Sequence, residues 1–402
     1  MSALLSKRSL RELLCTLGLL LAGLGLILAP GQAMEGAKTG LELCFNVIIP
    51  SLFPFFVLSS LLVDLGLVGY VGRAMEGIMY PLFRVSGPCA SALALGFIGG
   101  YPVGARTAIS LYRQGLCTRA EAQRLLAFCN NSGPAFILGV VGAGVFGSGR
   151  VGLLLYLTHI AASCLVGLLF RFYGGRETAR DRRGCPTFQA KRFTAAFTQA
   201  VTGAASSTLN ICAFVVFFTV ILRLLSLSGV LPLLSNSLSR LLAALLLPLS
   251  SLFPALSLPV PSPDAIRQLL TGLVELTSGV AGLTHQGALA GQVSMAAFML
   301  GWAGLSIHCQ TLTFLADSDL SPGTYLAGKL LHGLLSAALT TLVTRFIPLS
   351  QPVGVLLSQQ VDAIATLDFT TVFPAATVAA WSLLLVFFFF SIFCGKKRNT
   401  ML

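Results

Sequence analysis

The chain has 402 residues, of which 55% are hydrophobic and 10% charged. A soluble domain carries about a quarter charged residues, and the mean hydropathy here is +0.86. That excludes a water-covered surface and identifies an integral membrane protein. The net charge of +12 lies in short clusters between apolar runs, as the positive-inside rule expects. No aromatic–basic interleaving accompanies it, so nucleic acid is not an expected partner.

In chain order, the first apolar run predicts a membrane helix over residues 10–29. The basic start and small-residue end of "KRSLRELLCTLGLLLAGLGLILAPGQA" also fit a signal peptide cleaved after Ala33. The length of the run favours a retained first span. A second span is expected over 41–63, interrupted by Pro50 and Pro54, and a weaker segment with Arg73 and Glu76 over 67–83. Residues 90–111 form an apolar stretch that contains "GFIGGYPVGART". A polar helical pattern follows at 116–126, then apolar segments at 128–146 and 151–172.

Residues 174–195 are the most hydrophilic stretch, with Arg176, Arg180, Arg182, Arg183, Lys191 and Arg192 against Glu177 and Asp181. The positive-inside rule places this loop in the cytoplasm, together with both termini (Lys7, Arg8 and Arg11 at one end, "KKR" at the other). Further spans are expected over 205–225, 231–252, 288–315, 325–346 and 377–393. Residues 269–283 and 353–367 are shorter or weaker. The fold class is therefore all-α: a polytopic membrane bundle of roughly eight to ten helices at about 20 residues each, with re-entrant pieces.

The two halves look alike. "LELCFNVIIPSLFPFFVLSSLL" resembles "ASSTLNICAFVVFFTVILRLL", with Asn46 opposite Asn210. "GFIGGYPVGART" corresponds to "GLVELTSGVAGL", and "FCNNSGPAF" to "GWAGLSIHCQ". Paired interruptions of this kind mark the binding site of secondary transporters near the bilayer midplane. The resulting units are an N-terminal helix (1–40), a first repeat (41–173), the basic loop (174–195), a second repeat (196–348) and a C-terminal helix with a basic tail (349–402).

Four patches carry candidate site residues. In the first, Gly100, Tyr101, Pro102, Gly104 and Arg106 break a helix, because Pro102 removes a donor and disfavours helix at Tyr101. Gly96, Gly100 and Gly104 also form a small-xxx-small ridge suited to close helix packing. Arg106 is either a site cation, a helix-end arginine reaching the headgroups, or the partner of Glu275. The second patch is Asn130, Asn131, Ser132 and Gly133, read as a re-entrant tip or an interfacial turn. The third is Glu275, Thr277 and Ser278: a lone membrane carboxylate that binds a proton or cation or forms a structural ion pair. The fourth is Ser306, His308 and Gln310. His159, His285 and His332 share no metal spacing, no CxxC pair occurs among the ten cysteines, and neither a metal nor a cofactor is expected. The GxGxxG at Gly142, Gly144 and Gly147 lacks a βαβ context and is membrane glycine.

"SGPCASALALGFIGGYPVGARTAISLYRQG", "RAEAQRLLAFCNNSGPAFILGVVGAGVF" and "GLSIHCQ" resemble the sporulation integral membrane proteins of the YlbJ (SpoVV) type, in the nucleoside-recognition or Gate group. The resemblance covers about residues 41–346. It implies transport of a small anionic solute, dipicolinic acid, across the outer forespore membrane, with the positions 99–104 and 131–134 as the matching motif. A flat dianion would suit a cation and helix N-termini at a break. Lipids are the other expected partner, and homo-oligomerisation is left open. A nucleoside-type solute, or a membrane assembly role without transport, are the alternatives; no enzyme activity is expected.

Overall fold

The computed structural model describes residues 7–65, 75, 77–174, 192–252, 260–285, 288–316, 318–347 and 349. Among them the protein is helical throughout, without strands. Five helices are long and apolar enough to cross a membrane, six if a pair bent by 103° between residues 28 and 30 is one span. The expected segments at 353–367 and 377–393, residues 67–74 and 76 of that at 67–83, and most of the basic loop lie outside the described residues; 77–83 are helical.

The described chain begins with α1 (Lys7–Leu28) and α2 (Pro30–Leu43), which runs through a π turn (Cys44–Ile48) into α3 (Ile49–Asp64). The expected span at 41–63 thus starts earlier. Pro30 sits at the first helical turn, where its missing N–H costs nothing.

Residues 90–111 are not one crossing. They divide into α4 (Cys89–Gly99) and α5 (Val103–Arg113), each of 11 residues. At 1.5 Å per residue each is about 16 Å long, half of a bilayer core of ~30 Å. The turn between them brings Gly96 against Gly104: a Cβ on Gly96 would lie 3.3 Å from the Gly104 Cα. The small-residue ridge therefore closes a re-entrant hairpin rather than joining two spans.

A capping box at Thr118 and Glu121 starts α6 (Arg119–Leu126). An extended stretch follows, and then the π-helical α7 (Ala135–Val145) and α8 (Gly149–Phe170). Gly142 of the GxGxxG stretch meets Gly152 of α8, where a Cβ would come within 2.4 Å of backbone. Its glycines serve helix packing.

The second half has the same plan. The 35-residue α9 (Phe193–Leu227) packs on α2 through Gly36 and Gly40, and α10 (Val230–Leu252) follows. The pair α11 (Pro263–Val274) and α12 (Leu276–Ala281) forms a second hairpin with Gly272 against Gly279. The span at 288–315 is broken into α13 (Leu289–Trp302) and α14 (Leu305–Leu315). Ala303 and Gly304 between them have positive φ of 85° and 86°. Last comes α15 (Pro322–Phe346), which packs on α13 at Gly301 and Gly333 and bonds α8 through Thr158 and Thr340 at 2.9 Å. The leucines of α1, α9 and α10 that face outward, such as Leu20, Leu209 and Leu245, form the apolar surface that lipid requires.

Candidate functional site

Each hairpin tip abuts the break in the following helix. A Cβ on Gly100 would lie 2.8 Å from the Gly133 nitrogen, and one on Gly304 would lie 3.1 Å from the Leu276 nitrogen. Gly100, at φ 75°, occupies backbone space that favours glycine. Glycine on both sides of the first contact, and Gly304 on one side of the second, lets the backbones approach this closely.

All four patches thereby line one cavity. Its walls include Gly100 and Tyr101, Ser132 and Gly133, Glu275 and Thr277, and Ser306 and Gln310; Leu43, Phe136, Ile211 and Ile307 are among its apolar lining. The N-terminal ends of α7 and α14 open onto it. Ser132 Oγ, Ser306 Oγ and Gln310 Nε2 are buried at its wall without a hydrogen-bond partner. Each such atom costs about 1–3 kcal/mol, so three at one apolar cavity mark a place built to meet a polar ligand or water.

The other candidates stand elsewhere. Asn46 is exposed on the π turn, whose inward side is taken by Leu43 and Ile48. Arg106 is half-buried, one turn into α5; its Nη1 donates to Ser207 Oγ at 2.8 Å, and its guanidinium lies 5.8 Å from the Phe56 ring centre. The expected alternative of an Arg106–Glu275 pair is therefore corrected. Glu275 caps its own helix, accepting from the Thr277 N–H at 3.0 Å and the Ser278 N–H at 2.7 Å. Pro102 follows Tyr101 in the tip across a cis peptide, and Gly104 packs under it.

The double cap gives Glu275 a structural task. Glu275→Ala is expected to destabilise the protein by about 0.5–2 kcal/mol, with Glu275→Gln recovering part of the loss. Thermal unfolding of the purified protein in detergent measures both.

Behind the tips lies a polar layer. The Asn131 amide donates to the Phe128 carbonyl at 3.0 Å. The Asn130 amide donates to Thr311 Oγ1 (3.3 Å) and to the Tyr325 hydroxyl (3.2 Å), which also meets His308 Nδ1 at 3.0 Å. Thus Asn130 and His308 support the break rather than line the cavity. The Tyr101 hydroxyl donates to the Leu300 carbonyl. Lys329 of α15 is fully buried, and its Nζ donates to the Asn130 carbonyl at 2.9 Å and the Tyr101 hydroxyl at 3.1 Å.

Lys329 is not among the residues that the four patches contain. A lysine inside a 25-residue apolar helix, with His332 one turn on, is the signal that points to it.

A family model described as Gate, nucleoside recognition, matches residues 45–149. The sporulation integral membrane protein YlbJ of Bacillus subtilis (strain 168) is 31% identical over 332 residues, 78% of each chain. The chain belongs to the YlbJ family.

The Gate match within this YlbJ-family chain spans the first hairpin, the first break and α7. Two variants of CNTnw solved in outward-facing states are similar at 14% and 16% identity, with TM-scores of 0.48 and 0.49. They cover 85% and 86% of this chain and are each covered over 87%. CNTnw in an inward-facing substrate-bound state is similar at 15% identity and TM-score 0.44, over 81% of this chain and 91% of its own.

Proposed function

We propose that this YlbJ-family protein is a transporter of a small anionic solute, dipicolinate, and that it serves sporulation in the outer forespore membrane with both termini in the cytoplasm. The observation that carries the reading is the cavity where the two hairpin tips and two helix breaks meet, with three unpartnered polar atoms at its wall. Two features favour a negative charge there. The ends of α7 and α14 that face the cavity are helix N-termini, the positive ends of their dipoles. Lys329 places a cation directly behind the first tip and its break. Glu275 also stands at the wall, its carboxylate held by two N–H groups of its own helix.

The solute enters the cavity by separation of the tips, exchanging bonds to water for bonds to Ser132, Ser306 and Gln310. Each tip meets its break backbone to backbone at a glycine, Gly100 with Gly133 and Gly304 with Leu276. A nucleoside-type solute is the second reading, and the description of the Gate model favours it.

Equilibrium binding of radiolabelled dipicolinate to the purified full-length protein is the test. Saturable binding that falls about tenfold or more in Ser306→Ala, a loss of ~1.4 kcal/mol or more, supports the site. Displacement by uridine at lower concentration than by unlabelled dipicolinate favours the nucleoside reading instead. No saturable binding of either overturns both.

A further inference from the structure

Lys329 holds more than one element in place. Its Nζ reaches three acceptors: the Asn130 carbonyl in the first break (2.9 Å), the Tyr101 hydroxyl in the first hairpin tip (3.1 Å) and His332 Nδ1 on its own helix (3.4 Å). The roles of the neighbours follow from their partners. His332 Nε2 donates to the His159 carbonyl at 2.9 Å, which leaves Nδ1 as an acceptor. His159 Nε2 accepts from the Ser132 N–H at 3.0 Å. One buried cluster thus grips the Tyr101 tip once and the 130–132 break twice, and ties both to α8 and α15.

The charges around the cluster are unusual. Among the described residues no carboxylate lies within ion-pair distance of Lys329. The titratable groups that face it are Tyr101 from the tip, Cys129 from the break, His159 from α8 and His332 from α15, with His308 of α14 beyond the Tyr325 hydroxyl. The α13 helix, also packed on α15, carries no titratable group. On α6, Glu121 is engaged by its capping box, Arg119 by Asp319, and Arg124 by the carbonyls of Arg84 and Tyr173.

Three acceptors match the three N–H bonds of an ammonium; a neutral amine has only two. Loss of the proton breaks one N–H bond, leaves its electron pair on Nζ, and passes the proton to water at the cavity. The amine lone pair then faces the His332 Nδ1 lone pair, and the two remaining bonds lose the charge assistance that makes them about twice as strong as neutral ones.

We propose that Lys329 is a proton-binding site that latches the first tip and its break: protonated, it holds them together; deprotonated, it lets them part. The inference builds on the reading of the cavity as a solute site, and adds the proton as a second ligand whose occupancy is linked to access. By reciprocity, an anion drawn into the cavity favours the protonated lysine.

The latch is tested without any solute. Hydrogen–deuterium exchange of the full-length protein in detergent is followed at residues 98–104 and 129–134, corrected for intrinsic rates. The range runs from about pH 5 to about pH 11, which brackets ordinary histidine and lysine titration. In the wild type, tip protection is expected to hold at low pH and then fall by about tenfold per pH unit above a midpoint. Lys329→Gln, with two donors and no charge, is expected to show low, flat protection; Lys329→Arg is expected to keep it high and flat. A wild-type profile without a step, or the same step in Lys329→Gln, overturns the latch. If Lys329→Gln does not accumulate, His332→Gln decides: a shifted midpoint supports the cluster and an unmoved one refutes it. Because no dipicolinate is present, failure of the transport reading is read separately, in the binding experiment.

Discussion

Alanine at Gly104 is expected to leave little folded protein in the membrane. A Cβ there would lie 1.9 Å from the Cys129 carbonyl oxygen and 3.0 Å from the Gly96 Cα. Both obstacles are backbone, so no rotamer change relieves the contact. Overpacking of this kind costs about 1–3 kcal/mol where side chains can adjust, and more where two backbones must separate. The shift would also part α5 from the break that holds Ser132. Gly96→Ala meets the same carbonyl at 1.9 Å and is expected to fail in the same way. Gly291→Ala in α13 is the control: nothing lies within 4 Å of its Cβ, and helix propensity favours alanine by about 1 kcal/mol. Detergent-extracted yield and monodispersity on size exclusion separate these outcomes. Normal yield of Gly104→Ala would show that hairpin and break are not packed as described.

The second large effect is the reverse pattern, with function lost while the fold gains. Gln310 is buried in α14, and its Nε2 has no partner at the cavity wall. Leucine is close to it in size and removes the orphaned donor, so Gln310→Leu is expected to hold or raise the melting temperature. The same change removes a hydrogen bond to the solute. A bond to a charged group is worth about 1.5–3 kcal/mol, which predicts a ten- to hundredfold fall in dipicolinate uptake per reconstituted protein. A lower melting temperature with unchanged uptake would make Gln310 a structural residue and remove it from the site.

The helix breaks were legible because proline, glycine and adjacent amides stand out in an apolar chain. "GGYPVGA", "NNSGP", "ELTSG" and "WAGLS" all fall at or beside a break in the structure. What composition could not show is direction. An apolar run of residues 90–111 reads the same whether it crosses or turns back, and only the Gly96–Gly104 approach reveals the hairpin. Arg106 drew attention as a cation beside a break, but one helical turn carries it to Ser207 and Phe56. Asn46 matched Asn210 in the repeat, yet the π turn leaves it on the exposed side. Lys329 was hidden for the opposite reason. It sits in a regular helix with no break near it, and its role comes from residues some 200 positions away.

The central claim is that the cavity between the tips carries a small anion through the membrane. The measurement that bears on it most directly is uptake of radiolabelled dipicolinate into liposomes holding the purified full-length protein, with uridine in parallel. Saturable dipicolinate uptake, reduced at least tenfold in Gln310→Leu of unchanged melting temperature, is the predicted result. Dipicolinate accumulation no faster than in protein-free liposomes would contradict it.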